Sequence, residues 1–167
     1  MRSLALAVRA AVIAVAITAP AGAQETAPPD YRDDRSSAET VIESLYNAVE
    51  RREYLRAWSY FRDEPDRPTF EAFAAGYADT RHVRLKLGRA TGEGAAGSTF
   101  YSVPAAIEAE TDRGRQVYVG CYELRLVQPG VQITPPFRPL GIVKAKLEPS
   151  AASFADAAGT CPAKGLP

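Results

Sequence analysis

The apolar residues of this chain change their spacing once, near Arg81, and that change restricts the fold more than any other feature. Before it, apolar side chains recur every three or four residues, which is the period of an amphipathic helix; after it they alternate, as in a strand. Val83, Leu85 and Leu87, for example, alternate with polar residues. Helices that come first and strands that follow predict an α+β fold, with the helices packed on one face of an antiparallel sheet.

Three helices are expected before the change. Ser36–Glu39 matches the capping-box pattern at the start of the first helix. A second apolar stripe, Tyr54–Phe61, belongs to a second short helix or to a bent continuation of the first. Pro68-Thr69 begins a third helix, whose apolar face covers Phe70–Tyr77.

Four strands are expected after the change, in meander order. Gly92–Gly97 is glycine-rich and predicts a flexible connection, and Pro104 requires a sheet edge or a bulge. The strands are expected at Arg81–Gly88, Ser98–Glu110, Gln116–Gln128 and Leu140–Leu147.

The N-terminal segment has the pattern of a secretory signal peptide. Arg2 precedes the apolar run Ala10–Ile17, and Ala21 and Ala23 supply the small residues that signal peptidase requires before Gln24. The run is far shorter than the roughly 20 residues that span a bilayer, which argues against the alternative of an N-terminal anchor. We therefore expect residues 1–23 to be cleaved, the protein to be exported to the periplasm or outside the cell, and no stable membrane insertion after cleavage.

Two further segments flank the expected domain, which covers residues 36–148. Residues 24–35 are rich in proline and charge, and cannot bury enough apolar surface to order themselves, so they are expected to be a disordered spacer. Residues 149–167 form a C-terminal tail with almost no apolar content of its own.

Export changes how the two cysteines are interpreted. Outside the cytosol an even number of cysteines normally means a disulfide, so we expect Cys121 to be joined to Cys161 and to tether the tail. Two unpaired thiols that simply pack are the alternative. Zinc is a poorer explanation, because the two cysteines and the single histidine, His82, fall short of four ligands.

Charge and motifs argue against several classes of function. The 20 basic and 20 acidic residues give a formal net charge of zero, and the arginines are interspersed with acids, so no nucleic-acid surface is indicated. The sequence has no Gly-x-Ser-x-Gly elbow and no phosphate-binding loop. We expect no metal, no cofactor and no nucleic-acid partner.

The order of the elements, the stretch Tyr54–Phe61 and the stretch Phe70–Thr80 resemble the nuclear transport factor two-like superfamily, also called the cystatin-like cone, over residues 36–147. Within it the chain is most similar to exported bacterial members of unknown role. The resemblance implies a curved sheet under the helices, a pocket between them, and a fold in which a homodimer is one allowed state. Because the superfamily contains both ketosteroid-isomerase-like enzymes and non-catalytic binding domains, the fold alone assigns no chemistry.

Aromatic residues lie where such a pocket would be lined. A core that these side chains fill completely is the simpler interpretation, and an open apolar cavity is the alternative. The candidates for the pocket lining are Trp58, Phe73, Tyr77 and Tyr122.

No residue is assigned a catalytic role. The acids and the histidine that were considered for proton transfer share strand faces with other polar residues and are expected to contact water. The sequence therefore favours a non-catalytic domain that binds a small apolar ligand or a protein partner in the cell envelope, with a small-molecule isomerase, lyase or hydrolase as the alternative. The residues considered are Asp79, His82, Glu108 and Glu123.

Overall fold

The computed structural model describes residues 27–166, and it confirms the predicted α+β fold. The predicted signal peptide, residues 1–23, lies outside the described residues. Within residues 27–166, three helices precede five strands, and a 3₁₀ turn separates the last two strands. The elements are α1 (Ala38–Glu50), α2 (Tyr54–Trp58), α3 (Phe70–Gly76), β1 (Thr80–Leu87), β2 (Thr91–Ala95), β3 (Ser98–Thr111), β4 (Gly114–Val127), the turn Pro129–Val131 and β5 (Gly141–Ser150).

The strands form one antiparallel sheet in the order β1–β3–β4–β5, and β2 pairs with the first part of β3. The main core lies between α1 and one face of this sheet. Val41, Ile42 and Leu45 of α1 are fully buried there, together with Val103 of β3 and Leu124 of β4. The burial of this apolar face is what holds the helix on the sheet.

The capping box of α1 lies one residue later than the sequence pattern predicted. Ser37 is the N-cap: its Oγ accepts the amide of Thr40 at 3.1 Å, and Thr40 Oγ1 accepts the amide of Ser37 at 3.0 Å. Glu39, which the pattern placed in the box, instead accepts the amide of Ala90 at 3.2 Å. The hydroxyl of Thr40 accepts the N-cap amide, a role that a glutamate carboxylate has in the usual capping box. The carboxylate of Glu39 instead holds the chain that follows β1.

The second apolar stripe forms a separate helix and not a continuation of the first. Arg52 adopts a φ of 57°, in the left-handed region that few non-glycine residues occupy. Its amide donates to Val49 and the next amide, that of Glu53, donates to Ala48, so α1 closes before α2 begins.

The sheet has five strands, and the prediction of four was wrong. Thr91–Ala95, within the segment expected to be a flexible connection, forms β2 and pairs in register with β3. The connection between β2 and β3 is a two-residue turn in which Ala96 has a φ of 43° and Gly97 a φ of 73°. Because every residue of β2 is exposed, the sequence shows no apolar alternation there.

Pro104 lies in a central strand and not at an edge or a bulge. One side of β3 pairs continuously with β4, whereas its other side is shared between β1, which ends at Leu87, and β2, which begins at Thr91. Pro104 falls between these two strands, where its carbonyl accepts the amide of Gly88 at 2.8 Å. A residue without an N–H is tolerated at such a break in the ladder.

Within residues 27–35, the described part of the expected spacer, the backbone forms hydrogen bonds with α1. Arg32 donates its amide to Asn47 at 3.0 Å, and Asp34 donates its amide to Ser44 at 2.8 Å. These contacts are hydrogen bonds between backbone amides and polar side chains, so the apolar content of the segment does not predict them.

The tail crosses the face of the sheet opposite α1. Cys161 forms a disulfide with Cys121 of β4, as the even cysteine count predicted, with 5.0 Å between their Cα atoms. Ala157 is buried in a second apolar cluster against this face, with Phe154 packed beside it. The tail thus has apolar contacts as well as the disulfide.

Candidate functional site

The space between the helices and the sheet is packed with side chains. Tyr122 is 1% exposed and Phe73 is 7% exposed, and the ring of Tyr77 lies 5.0 Å from that of Phe73. Two of the four residues predicted to line a pocket, Phe73 and Tyr122, therefore belong to the core cluster, and the other two, Trp58 and Tyr77, pack against it. Trp58 also lines a pocket at the surface.

Tyrosine hydroxyls supply the polar groups inside this core. The Oη atoms of Tyr46 and Tyr122 lie 2.6 Å apart. Burial raises the pKa of Tyr46 well above its ordinary value, and it also raises the pKa values of Tyr77 and Tyr122. At neutral pH these groups are uncharged, so they do not act as bases. The sequence alone does not place Tyr46 in the core, because a buried hydroxyl needs a hydrogen-bond partner and that partner, Tyr122, is not visible in the sequence.

The carboxylates that were considered for catalysis lie beside cations or amides. Asp79 pairs with Arg113 at 3.1 Å, and Glu108 pairs with Arg84 at 2.9 Å. Glu123 accepts an amide of the tail. In these pairs the acids contact protein groups and not a cavity, and the structure does not bring them together.

His82 differs from these acids because it lies beside a groove. Its Nδ1 is 2.8 Å from Oε2 of Glu50, and the other oxygen of Glu50 accepts the amide of Val83. The pair lines a groove of about 510 Å³ between α1 and β1, which Tyr46 and Leu85 also line. The His82 side chain is 57% exposed. Glu50 carries no signal in the sequence, since a helix end and a strand edge meet there only through the tertiary fold.

A second cavity, the arginine pocket, has a volume of about 380 Å³ and lies between α2 and the segment that leads into β5. Its lining combines aromatic rings with four arginines and one acid. The lining includes Leu55, Trp58, Phe61, Phe137, Arg35, Arg62, Arg67, Arg138 and Asp63.

A short backbone pairing builds the floor of the arginine pocket. Arg62 donates its amide to Ile142 at 2.7 Å, and Ile142 donates its amide to Tyr60 at 2.8 Å, which adds the chain after α2 to the edge of β5. A Cβ atom at Gly141 would lie 3.0 Å from Cγ of Arg62. Glycine at this position therefore leaves room for the Arg62 side chain.

Arg62 is a cation held in the wall of the arginine pocket with few polar contacts. The residue is 9% exposed, and its Nη1 donates to the carbonyl of Pro139 at 3.3 Å. Its Nε lies 3.6 Å from the carboxylate of Glu64 and makes no hydrogen bond to the described residues. Burial, with repulsion from Arg125 as a smaller cause, lowers the pKa of Arg62.

Arg67 stacks on the sole tryptophan of the chain. Its guanidinium carbon lies 3.2 Å from the centre of the Trp58 ring, and its Nη2 donates to the carbonyl of Trp58 at 3.0 Å. The Nε of Arg67 is also buried without a hydrogen bond to the described residues. The guanidinium therefore covers one face of the indole in a cation–π contact.

The sequence predicts that the arginines, which are interspersed with acids, lie on a solvated surface of mixed charge. The stretch Trp58–Arg67 contains both aromatic residues and cations, and Phe137 and Arg138 lie in a proline-rich segment to which no role was assigned. Nothing local shows that these two stretches meet.

Among residues 27–166, no group of three or more His, Cys, Asp or Glu side chains is arranged to hold a metal ion. Likewise, none of the helices in this part of the chain is both long enough and apolar enough to cross a membrane.

Comparison with known proteins identifies the fold. No family model and no curated protein matches the chain. A proposed scytalone dehydratase from Novosphingobium aromaticivorans aligns with a TM-score of 0.51 and 9% identity, over 77% of this chain and 92% of that chain. A proposed dehydratase of the nuclear transport factor two-like family from Streptomyces avermitilis aligns with a TM-score of 0.49 and 13% identity, over 71% of this chain and 96% of that chain.

A protein of unknown function from Mycobacterium tuberculosis gives a TM-score of 0.48 and 14% identity, over 67% of this chain and 69% of that chain. At such identities a likeness shows a shared fold and leaves the chemistry open. The chain has the nuclear transport factor two-like fold, a set of helices on an open antiparallel sheet.

Proposed function

We propose that the protein is an exported, non-catalytic binding domain and that its ligand, a small molecule with a flat apolar body, occupies the arginine pocket. The observation that carries this proposal is the aromatic lining of an open pocket, whereas aromatic side chains fill the interior of the cone. A cavity of about 380 Å³ lies within the usual size range of small-molecule sites.

The apolar part of the pocket is exposed to solvent. Phe137 is 62% exposed and Leu55 is 64% exposed, and both line the pocket with Trp58. Exposed apolar side chains that surround a concavity are typical of sites that bury a ligand or a partner. A small ligand is favoured over a protein partner because the rings line a cavity.

The sole tryptophan makes this proposal testable without knowing the ligand. A ¹H–¹⁵N spectrum contains one indole signal, from Trp58, and a set of small ring compounds can be titrated against it. Compounds that shift this signal and bind more weakly to the Phe137→Ala variant support the proposal. Phe100→Ala, at an exposed ring outside the pocket lining, is the matched control. If every binding compound leaves the indole signal unchanged, the pocket is not the site.

Export is part of the proposal and has its own measurement. It is supported by the signal-peptide pattern and is compatible with the disulfide. Intact mass of protein recovered from the cell envelope should show a chain that starts at Gln24. Recovery of residues 1–23 on a protein integral to the membrane contradicts export.

The Glu50–His82 pair favours a second candidate function, that of a small-molecule isomerase, lyase or hydrolase. A carboxylate on Nδ1 orients the imidazole and leaves Nε2 to accept a proton from a substrate in the groove. A panel of substrates for these reactions tests it. Turnover that is lost in His82→Gln and reduced in Glu50→Gln, but kept in the control Asp79→Asn, establishes the enzyme; absence of turnover across the panel favours the binding domain.

A further inference from the structure

We infer that the ligand of the arginine pocket is a small organic anion, in which an oxyanion group such as a carboxylate binds at Arg62 and a flat apolar body packs against Trp58 and Phe137. This inference rests on the proposed function and specifies the class of ligand.

The charges that line the pocket favour an anion. Four arginines face a single acid, Asp63, whose side chain is 88% exposed and approaches Arg67 only at 4.0 Å. Arg35 has a carboxylate of its own, that of Asp33, at 3.7 Å, and it stacks on the ring of Tyr60. Even so, the pocket retains an excess of positive charge, and a concave surface of one sign concentrates ions of the other.

Arg62 is the group whose surroundings are least complete. A buried cation is stable when it is paired and hydrogen-bonded, yet Glu64 is 3.6 Å from its Nε and that Nε has no hydrogen-bond partner among residues 27–166. Because this Nε is itself buried, an oxyanion in the pocket binds at the outer nitrogens of the guanidinium and supplies the opposite charge. A guanidinium also fits the planar, two-oxygen geometry of a carboxylate.

Arg67 and Trp58 favour a ligand whose anionic group is attached to a flat apolar body. The guanidinium of Arg67 is stacked on one face of the indole, and both groups line the pocket. The indole is held in place because its Nε1 donates to the carbonyl of Pro68 at 2.9 Å. On the other side, Gln132 fixes the segment that carries Phe137: it accepts the amide of Arg138 at 2.8 Å and donates to its carbonyl at 3.0 Å. The pocket is therefore preorganised for a planar apolar group, which lowers the entropic cost of binding.

A matched pair of probes tests the charge requirement. 2-Naphthoate and 2-naphthamide share one ring system and differ in charge at neutral pH. We expect the naphthoate to bind about ten-fold more tightly by calorimetry, to shift the indole signal of Trp58, and to lose affinity as salt is added. Arg62→Gln should reduce its affinity to that of the amide. Arg138→Gln, at an exposed position, should weaken naphthoate binding without disturbing the core.

The outcomes separate this inference from the proposed function. Equal affinity for the two probes overturns the inference that the ligand is an anion, but it leaves the pocket as a binding site. If neither probe binds at Trp58, the result counts against both the anionic ligand and the proposed binding function. A preference for naphthoate that survives unchanged in Arg62→Gln and Arg138→Gln also overturns the inference. If Arg62→Gln fails to fold, Arg138→Gln and the salt dependence decide. Arg89→Gln, at an exposed arginine outside the pocket lining, is the control.

Discussion

The phenolic oxygens of Tyr46 on α1 and Tyr122 on β4 lie 2.6 Å apart, and the two residues are 5% and 1% exposed. One hydroxyl donates to the other, so the pair connects the helix to the sheet through the core. These rings and hydroxyls occupy the space in which the family resemblance implied a pocket. The pair therefore explains both how the core tolerates polar atoms and why the candidate binding site lies elsewhere.

Removal of one hydroxyl from this pair should destabilise the fold. Tyr46→Phe leaves the hydroxyl of Tyr122 buried without this partner, at a cost of about 1–3 kcal/mol in the free energy of unfolding. Tyr122→Phe should behave similarly, and the double variant should lose less than the sum of the two, because no orphaned hydroxyl is left. Denaturant unfolding of the four proteins measures the coupling. Strictly additive losses would show that the hydrogen bond adds nothing.

The same tyrosines predict how stability depends on pH. Burial raises the pKa values of Tyr46, Tyr77 and Tyr122, whereas in the unfolded chain tyrosine ionises at a pH of about 10. Above that pH the unfolded state binds fewer protons than the folded state, so the free energy of unfolding falls as the pH rises. Below it the tyrosines are protonated in both states and do not make the free energy of unfolding depend on pH.

Alkaline titration measures this effect. The tyrosinate absorbance of the three buried residues should appear together with the loss of the circular dichroism signal, in one cooperative step, and Tyr46→Phe should reduce its amplitude. Ionisation of these residues in a protein that remains folded would contradict the burial argument.

The position of the helix cap also gives a measurable difference. Ser37→Ala should cost about 1 kcal/mol of unfolding free energy, because it removes the acceptor of the Thr40 amide. Ser36→Ala should have little effect, since Ser36 is not the N-cap. If Ser36→Ala is the more damaging substitution, the cap lies where the sequence pattern placed it.

The sequence predicts those elements whose signal is local. The alternation at Val83, Leu85 and Leu87 is enough to identify β1, and Thr69 before Phe70 identifies the start of α3, where its side chain accepts the amide of Ala72 at 3.2 Å. β2 has no such signal, because its residues are exposed on both faces. Periodicity reports burial, and a strand that buries nothing is invisible to it.

The candidate site is harder to predict than the fold. Trp58 is the residue of the predicted lining that reaches the arginine pocket, and the cation behind it, Arg62, is positioned by a backbone pairing with Ile142, 80 residues along the chain. Spacing within α2 contains no information about that pairing. A pocket between α2 and the segment that leads into β5 is a property of the tertiary fold, whereas composition shows only that arginines and aromatic residues are present.

Gly159 of the tail lies directly against the backbone of the sheet. A Cβ atom there would lie 2.3 Å from the amide nitrogen of Ala105 and 2.4 Å from the carbonyl oxygen of Gly120. Both are backbone atoms within the sheet, so the tail must move to relieve the clash. We expect Gly159→Ala to lower the free energy of unfolding by about 1–3 kcal/mol. Gly130→Ala, where no atom lies within 4 Å, is the control; equal stability of the two variants would mean that the tail is not held this tightly.

The disulfide should stabilise the protein mainly by restricting the unfolded chain. Cys121 and Cys161 are 40 residues apart, and loop-closure entropy gives about 4 kcal/mol for a loop of that length. Because Phe154 and Ala157 pack against the sheet and Lys86 donates to two carbonyls of the tail, the folded state should keep much of the tail in place without the bond.

The Cys121→Ser/Cys161→Ser double variant should therefore lose about 2–4 kcal/mol in denaturant unfolding, while hydrogen exchange increases mainly beyond Ala157. Reductant should reproduce this loss in the natural protein and have no effect on the double variant. Unchanged stability after reduction would show that the packing of the tail, and not its covalent bond, determines the stability.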